Sequence, residues 1–182
     1  MNEAKKHILL CGKRRSGRSA MIRKLTQDLT VPLYGYMTRR LGTNSRGYHE
    51  IFMFPYGSVD LTPSEHCHIG DCNTREREIN NDVFNHLGTE LMKANPDGIL
   101  VLDEIGFMES GAKDFCDAVL RALDGEIHVL AAVRTGVESP FVRRVLASEK
   151  ALVCEMLPEQ FDERFLELKP IVDRWERDIL TC

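Results

Sequence analysis

Apolar positions in this chain follow two kinds of pattern. The first is the short continuous run, as in Ile8-Leu9-Leu10-Cys11 and Ile99-Leu100-Val101-Leu102, with further runs at 127–133 and 151–156. Runs of this length without alternation predict strands buried on both faces of a parallel sheet. The second is spacing by three and four, which predicts helices. It occurs at Met21, Ile22, Leu25 and Leu29, and again at Ile79, Val83, Phe84, Leu87 and Leu91 within 76–94, whose first turn could instead be extended. It recurs at Phe115, Val119, Leu120 and Leu123 within 112–123, where Gly125 stops it, and a short helix is expected over 141–147.

The tail carries Phe161, Phe165, Leu168, Val172, Trp175 and Ile179 at helical spacing, and Pro170 is expected to split or kink that helix. Segments 32–38 and 48–54 read as a hairpin joined by a polar loop to which Arg39, Arg40 and Arg46 are assigned. That loop is either a solvated turn or a cationic cover over an anion. Segment 57–75 shows no period.

The resulting order is strand–helix, hairpin, helix, and three further strand–helix units. It predicts an α/β protein with a mainly parallel sheet plus an antiparallel hairpin, formed by one domain over 1–182.

Composition changes this picture little. Of 182 residues, 43% are hydrophobic and 29% charged, as in ordinary globular domains. The net charge of −4 and the lack of a wider basic stripe make nucleic acid an unexpected partner. No apolar run approaches the roughly 18–20 residues of a membrane span, so no membrane partner is expected. The run behind Lys5 and Lys6 is too short for a secretory signal, and the expected address is cytoplasmic with reduced cysteines. Cys11, Cys116 and Cys154 sit in apolar contexts and are read as small core residues.

His66, Cys67, His68 and Cys72 are potential soft metal ligands within seven residues, but a structural zinc site usually brings two separated pairs and no second pair stands out. The group is therefore read as part of a loop.

The strongest chemical signal follows the first strand. Gly12-Lys13-Arg14-Arg15-Ser16-Gly17-Arg18-Ser19 fits the phosphate-loop pattern G-x-x-x-x-G-K-[ST] at every fixed position except the lysine, replaced by Arg18. Glycines let successive N–H groups turn inward toward phosphate oxygens, and the next helix adds its N-terminal donors. The expected nucleotide-binding segment runs from Gly12 to Ala20, with Ser19 as a magnesium ligand. The run at 99–102 ends in Asp103-Glu104, which its place in a parallel sheet puts at the same carboxyl edge as the loop. Asp103 is the expected second metal-side group. Glu104 is the expected water-orienting base, and Arg18 the expected catalytic cation.

With those motifs placed, the chain resembles the small P-loop nucleoside-triphosphatase family that includes the cancer-related nucleoside-triphosphatase. The resemblance is carried by Gly12 to Ser19, Tyr34-Gly35-Tyr36-Met37-Thr38, Arg46-Gly47-Tyr48 and, above all, Val101-Leu102-Asp103-Glu104-Ile105-Gly106-Phe107-Met108-Glu109. It implies a three-layer, RecA-like core and slow Mg2+-dependent hydrolysis of ATP, GTP or other nucleoside triphosphates to diphosphate and phosphate. The chain departs from the family at Arg18 and Phe107, where the family has lysine. It departs also at Ala20, where a second hydroxyl is common, and at Arg39 and Arg40, where the family has acidic residues. Two further readings remain beside hydrolysis: a nucleotide-binding module that does not turn its ligand over, and a phosphotransferase to a small acceptor lined by 57–75.

Overall fold

The computed structural model describes residues 5–73 and 75–181. Eight strands form one sheet: β1 (His7–Gly12), β2 (Leu33–Thr43), β3 (His49–Pro55), β4 (His68–Cys72), β5 (Arg77–Ile79), β6 (Ile99–Ile105), β7 (Val129–Arg134) and β8 (Ala151–Glu155). Their spatial order is β5-β4-β3-β2-β6-β7-β1-β8. The five strands from β2 to β8 in that order pair parallel, and β3, β4 and β5 extend the sheet antiparallel beyond β2.

The continuous apolar runs produce this layering directly, because successive side chains of a strand point to opposite faces. On one face Leu9, Leu100, Leu102, Val129 and Ala131 pack with Phe115 and Val119 of α4 (Lys113–Asp124) and with Phe141, Val142 and Val145 of α5 (Pro140–Leu146). On the other, Ile8, Leu10, Ile99, Val101, Leu130 and Ala132 pack with Met21, Ile22 and Leu25 of α1 (Arg18–Thr26). Leu168, Val172 and Trp175 of α6 (Phe161–Thr181) join that face. The start of α5 is fixed by Ser139, which accepts a hydrogen bond from the Val142 N–H at 3.3 Å, with Pro140 in the first turn.

Three expectations change, and one open alternative is resolved. Arg39 and Arg40 do not lie in a loop: β2 runs through both, paired opposite Phe52 and Ile51. Cross-strand backbone pairing carries the strand beyond the point where its side chains turn polar. Segment 57–75 is not wholly irregular, since its end forms β4. The pattern at 76–94 opens as the extended β5, and helix begins only at α2 (Asn81–Val83). It continues through a π turn at Phe84–Gly88 to α3 (Thr89–Leu91). Finally, Pro170 does not split the tail helix, which runs 21 residues. The carbonyl that Pro170 leaves without a donor belongs to Leu166, a residue 73% exposed, so water can satisfy it.

Candidate functional site

The carboxyl ends of β1, β6, β7 and β2 meet at one edge of the sheet. The 12–19 loop leaves β1 there and turns back into α1. Gly17 precedes the helix in the left-handed region at φ 91°, where a side chain would strain the backbone, and Arg15 also stands at φ 65°. Gly12 is required for space: a Cβ there would meet Ser16 Oγ at 2.5 Å and the Met156 carbonyl at 3.1 Å.

Two contacts tie the loop to β6. The Ser19 hydroxyl donates to Asp103 Oδ1 at 2.6 Å, and Arg18 Nη2 donates to Glu104 Oε2 at 3.0 Å. The sequence motifs, 84 positions apart in the Ser19–Asp103 pair, are thus in direct contact. Both carboxylates belong to β6 itself, which extends to Ile105. The backbone between them departs from regular pairing with β7.

Arg18 is 5% exposed, and its Nη1 is buried without a hydrogen-bond partner. Ser16 Oγ, in the same loop, is also buried and unpartnered. A buried donor without an acceptor costs of order 1–3 kcal/mol, so each of these two groups would gain from one. A cavity of about 360 Å³ opens over the loop. It is lined by Arg14 through Ala20 together with Thr38, Asp103, Glu104 and Arg134. Gly12 and Lys13 do not line it; Lys13 is exposed and Gly12 shapes the turn.

Burial raises the carboxyls of both Asp103 and Glu104. The Ser19 hydrogen bond and Arg39 restrain the rise at Asp103, and Arg18 and Arg134 restrain it at Glu104. Arg39 Nη1 lies 3.9 Å from Asp103 Oδ2, and Arg134 Nη1 lies 3.8 Å from Glu104 Oε1. Tyr36 donates its hydroxyl to the Glu104 carbonyl at 3.2 Å. Glu109 is buried and accepts from the Gly106 N–H with both oxygens, at 3.0 and 3.1 Å, and burial pushes its carboxyl up to about 7.

Of the residues that sequence reading brought to the site, Arg14 through Ala20, Asp103 and Glu104 line one cavity, and two assignments change. Arg46 points away from it, engaging Glu78 at 2.8 and 2.6 Å on the outer strands. Arg39 and Arg40 reach the edge from a strand rather than a loop. The His66, Cys67, His68 and Cys72 group does not converge: Cys67 packs with Met37, Phe52 and Phe54, while His68 bonds Asp71 at 2.8 Å. Among the described residues the one cluster of three possible metal ligands is Glu50, His68 and Asp71, where Asp71 already accepts from Asn44 and His68.

Sequence reading missed the contact of Arg134 with Glu104. Its position at the end of β7, next to β1, was the available signal, because ligand-facing groups gather at the carboxyl ends of parallel strands.

A family model described as NTPase matches residues 7–168. The chain belongs to this NTPase family. Its fold is the three-layer P-loop NTPase fold. The crystal structure of THEP1 from the hyperthermophile Aquifex aeolicus superposes with a TM-score of 0.68 at 18% identity, covering 91% of this chain and 98% of that one. The solution structure of a human cancer-related nucleoside triphosphatase superposes with a TM-score of 0.64 at 20% identity, covering 92% and 97%. No curated protein matches the sequence. No helix among the described residues is long and apolar enough to cross a membrane.

Proposed function

We propose that the protein binds a nucleoside triphosphate in the 12–19 loop and hydrolyses it slowly, with Mg2+, to diphosphate and phosphate. The observation that carries this reading is Arg18. Its buried guanidinium joins the loop to Glu104 through Nη2 and keeps Nη1 free for an acceptor. Phosphate oxygens suit that donor, together with Ser16 Oγ and the N-terminal amides of α1. The oxygen pair of Ser19 and Asp103 fits the donor set Mg2+ prefers, and those two residues would hold it. When bound, the ion neutralises charge on the terminal phosphates.

Glu104 orients a water toward the γ-phosphorus. The water oxygen forms the new P–O bond as the bond to the β–γ bridging oxygen breaks, and the water proton passes to Glu104 and on to solvent. Arg18 bridges the base and the transferred group, so charge developing on the phosphoryl oxygens is met by a cation already desolvated in place. Arginine differs here from the shorter lysine of the usual motif, because its planar fork can hold a carboxylate and a phosphate at once.

Phosphate release from Mg·ATP and Mg·GTP tests the reading. Glu104→Ala is expected to lower the rate by ~100-fold or more, the typical share of a positioned base. Equal rates for the two proteins would contradict it. Tight binding of triphosphate with no release from the unaltered protein would leave the non-hydrolysing binding module.

One observation favours a second reading, transfer to a small acceptor in place of water. A further cavity of about 450 Å³ lies against Glu104 and includes Cys72 and Asn73, near the end of the 57–75 segment.

A further inference from the structure

The larger cavity has a charge character unlike the rest of the molecule. Six of the chain's 24 lysine and arginine side chains line it, namely Arg14, Arg39, Arg40, Arg75, Arg77 and Arg134, although the net charge is −4. Arg14, Arg40, Arg75 and Arg77 take part in no ion pair among the described residues. Three carboxylates, Glu76, Glu104 and Glu109, face the same space, so the six guanidinium groups outnumber them by three, and Glu104 is shared between Arg18 and Arg134. Guanidinium groups in excess over the carboxylates around them repel one another, a cost that an oxyanion removes.

Two of these arginines are held in place. Phe107 carries the Arg77 guanidinium carbon at 4.3 Å and that of Arg134 at 5.1 Å from its ring centroid. Such cation–π contacts reduce the ordering that binding would otherwise require. Beneath the cations lies an apolar floor of Ile51, Ile69, Phe84 and Met108. The volume is that of a small-molecule site.

The cavity adjoins the one over the 12–19 loop. Arg14, Thr38, Glu104 and Arg134 line both.

We propose that this cavity is a second ligand site for a small molecule combining a planar, largely apolar body with a phosphate monoester, seated beside Glu104. The arginines receive the phosphate and the floor receives the body. The inference rests on the proposed function only in placing that ligand next to the terminal phosphate of the triphosphate; binding itself does not require hydrolysis.

Calorimetry of the full chain tests it, with 5′-AMP and inorganic phosphate as separate probes. The protein is first saturated with Mg·AMP-PNP so that the loop is filled. AMP is expected to bind the saturated protein, at least tenfold more tightly than inorganic phosphate. Arg75→Ala/Arg77→Ala is expected to weaken AMP at least tenfold with Mg·AMP-PNP affinity unchanged, and Arg75→Lys/Arg77→Lys to fall between. Failure of AMP to bind, its exclusion by Mg·AMP-PNP, an affinity no better than phosphate, or indifference to the alanine pair would each overturn the proposal. If Mg·AMP-PNP itself does not bind, the proposed function fails separately, and titration of AMP into the free protein and the alanine pair still decides the cavity.

Discussion

Arginine serves two different purposes at the two ends of this site. Over α1, Arg18 is buried and fixed on a carboxylate, with one donor still free. Over the antiparallel strands, Arg40, Arg75 and Arg77 are exposed and, among the described residues, in no ion pair. A buried guanidinium is held by the groups around it, so removing its partner leaves an uncompensated charge in a desolvated setting. Exposed guanidinium groups interact weakly one by one and matter through their summed field. The first arrangement suits positioning a reacting group; the second suits drawing in an anion.

The largest effect that could break this contrast is at Arg18. Arg18→Met removes the charge at nearly constant bulk, and triphosphate affinity is expected to fall by ~10- to 100-fold, the value of a charge-assisted hydrogen bond. The same change leaves Glu104 without its main restraining cation, so its carboxyl should rise further. Hydrolysis dependent on the ionised base would then set in at higher pH than in the unaltered protein. Calorimetry with Mg·AMP-PNP and a pH–rate profile check the two outcomes. An unchanged affinity would place Arg18 with the weakly acting surface arginines.

The next effect concerns stability. His7 is fully buried between the Leu123 carbonyl and the Val129 N–H, and burial lowers its pKa from 6.5 to about 4. The unfolded chain binds that proton more readily, so this contribution to stability is complete above 6.5 and is lost as pH falls toward 4. Glu109 acts in reverse. Its raised pKa of about 7 favours the folded state at low pH, and the contribution is lost as pH rises from 4.5 to 7. The two largely cancel in the unaltered protein. Glu109→Gln removes one of them, and denaturant unfolding should then show stability rising by up to about 3 kcal/mol from pH 4 to 6.5. A flat profile in the variant would contradict the pairing of these two groups.

The smallest effect is expected at Arg46, whose exposed pair with Glu78 lies on the outer strands. Arg46→Ala should change neither melting temperature nor triphosphate affinity measurably, because such pairs contribute little in water. A clear loss of affinity would mean that the outer hairpin reaches the loop after all.

These regions also differ in how far sequence reveals them. The loop, β1, β6 and β7 were legible because their signals are local: apolar runs, glycines and a helical period. Asp103 and Glu104 followed from parallel-sheet geometry. The outer region was not legible, because β4 and β5 are short and polar. Their stability comes from pairing with β3 and with each other, which no local pattern announces, and Arg39 and Arg40 disguised the far end of β2 as a loop in the same way. The cavity arginines in no ion pair among the described residues are scattered from Arg14 to Arg77, so only the folded sheet brings them together. The split expected at Pro170 failed for a related reason: the local signal is a break, and the exposure of Leu166 that excuses it belongs to the tertiary structure.

The central claim is that Arg18 and the 12–19 amides hold a triphosphate against Glu104. A crystal structure of the protein with Mg·AMP-PNP tests this most directly. Terminal phosphate oxygens are expected within hydrogen-bond distance of Arg18 Nη1 and the Gly17–Ser19 amides, with the metal beside Ser19 Oγ and Asp103. A triphosphate bound away from the loop, or one in the loop with Arg18 turned wholly toward Glu104, would contradict it.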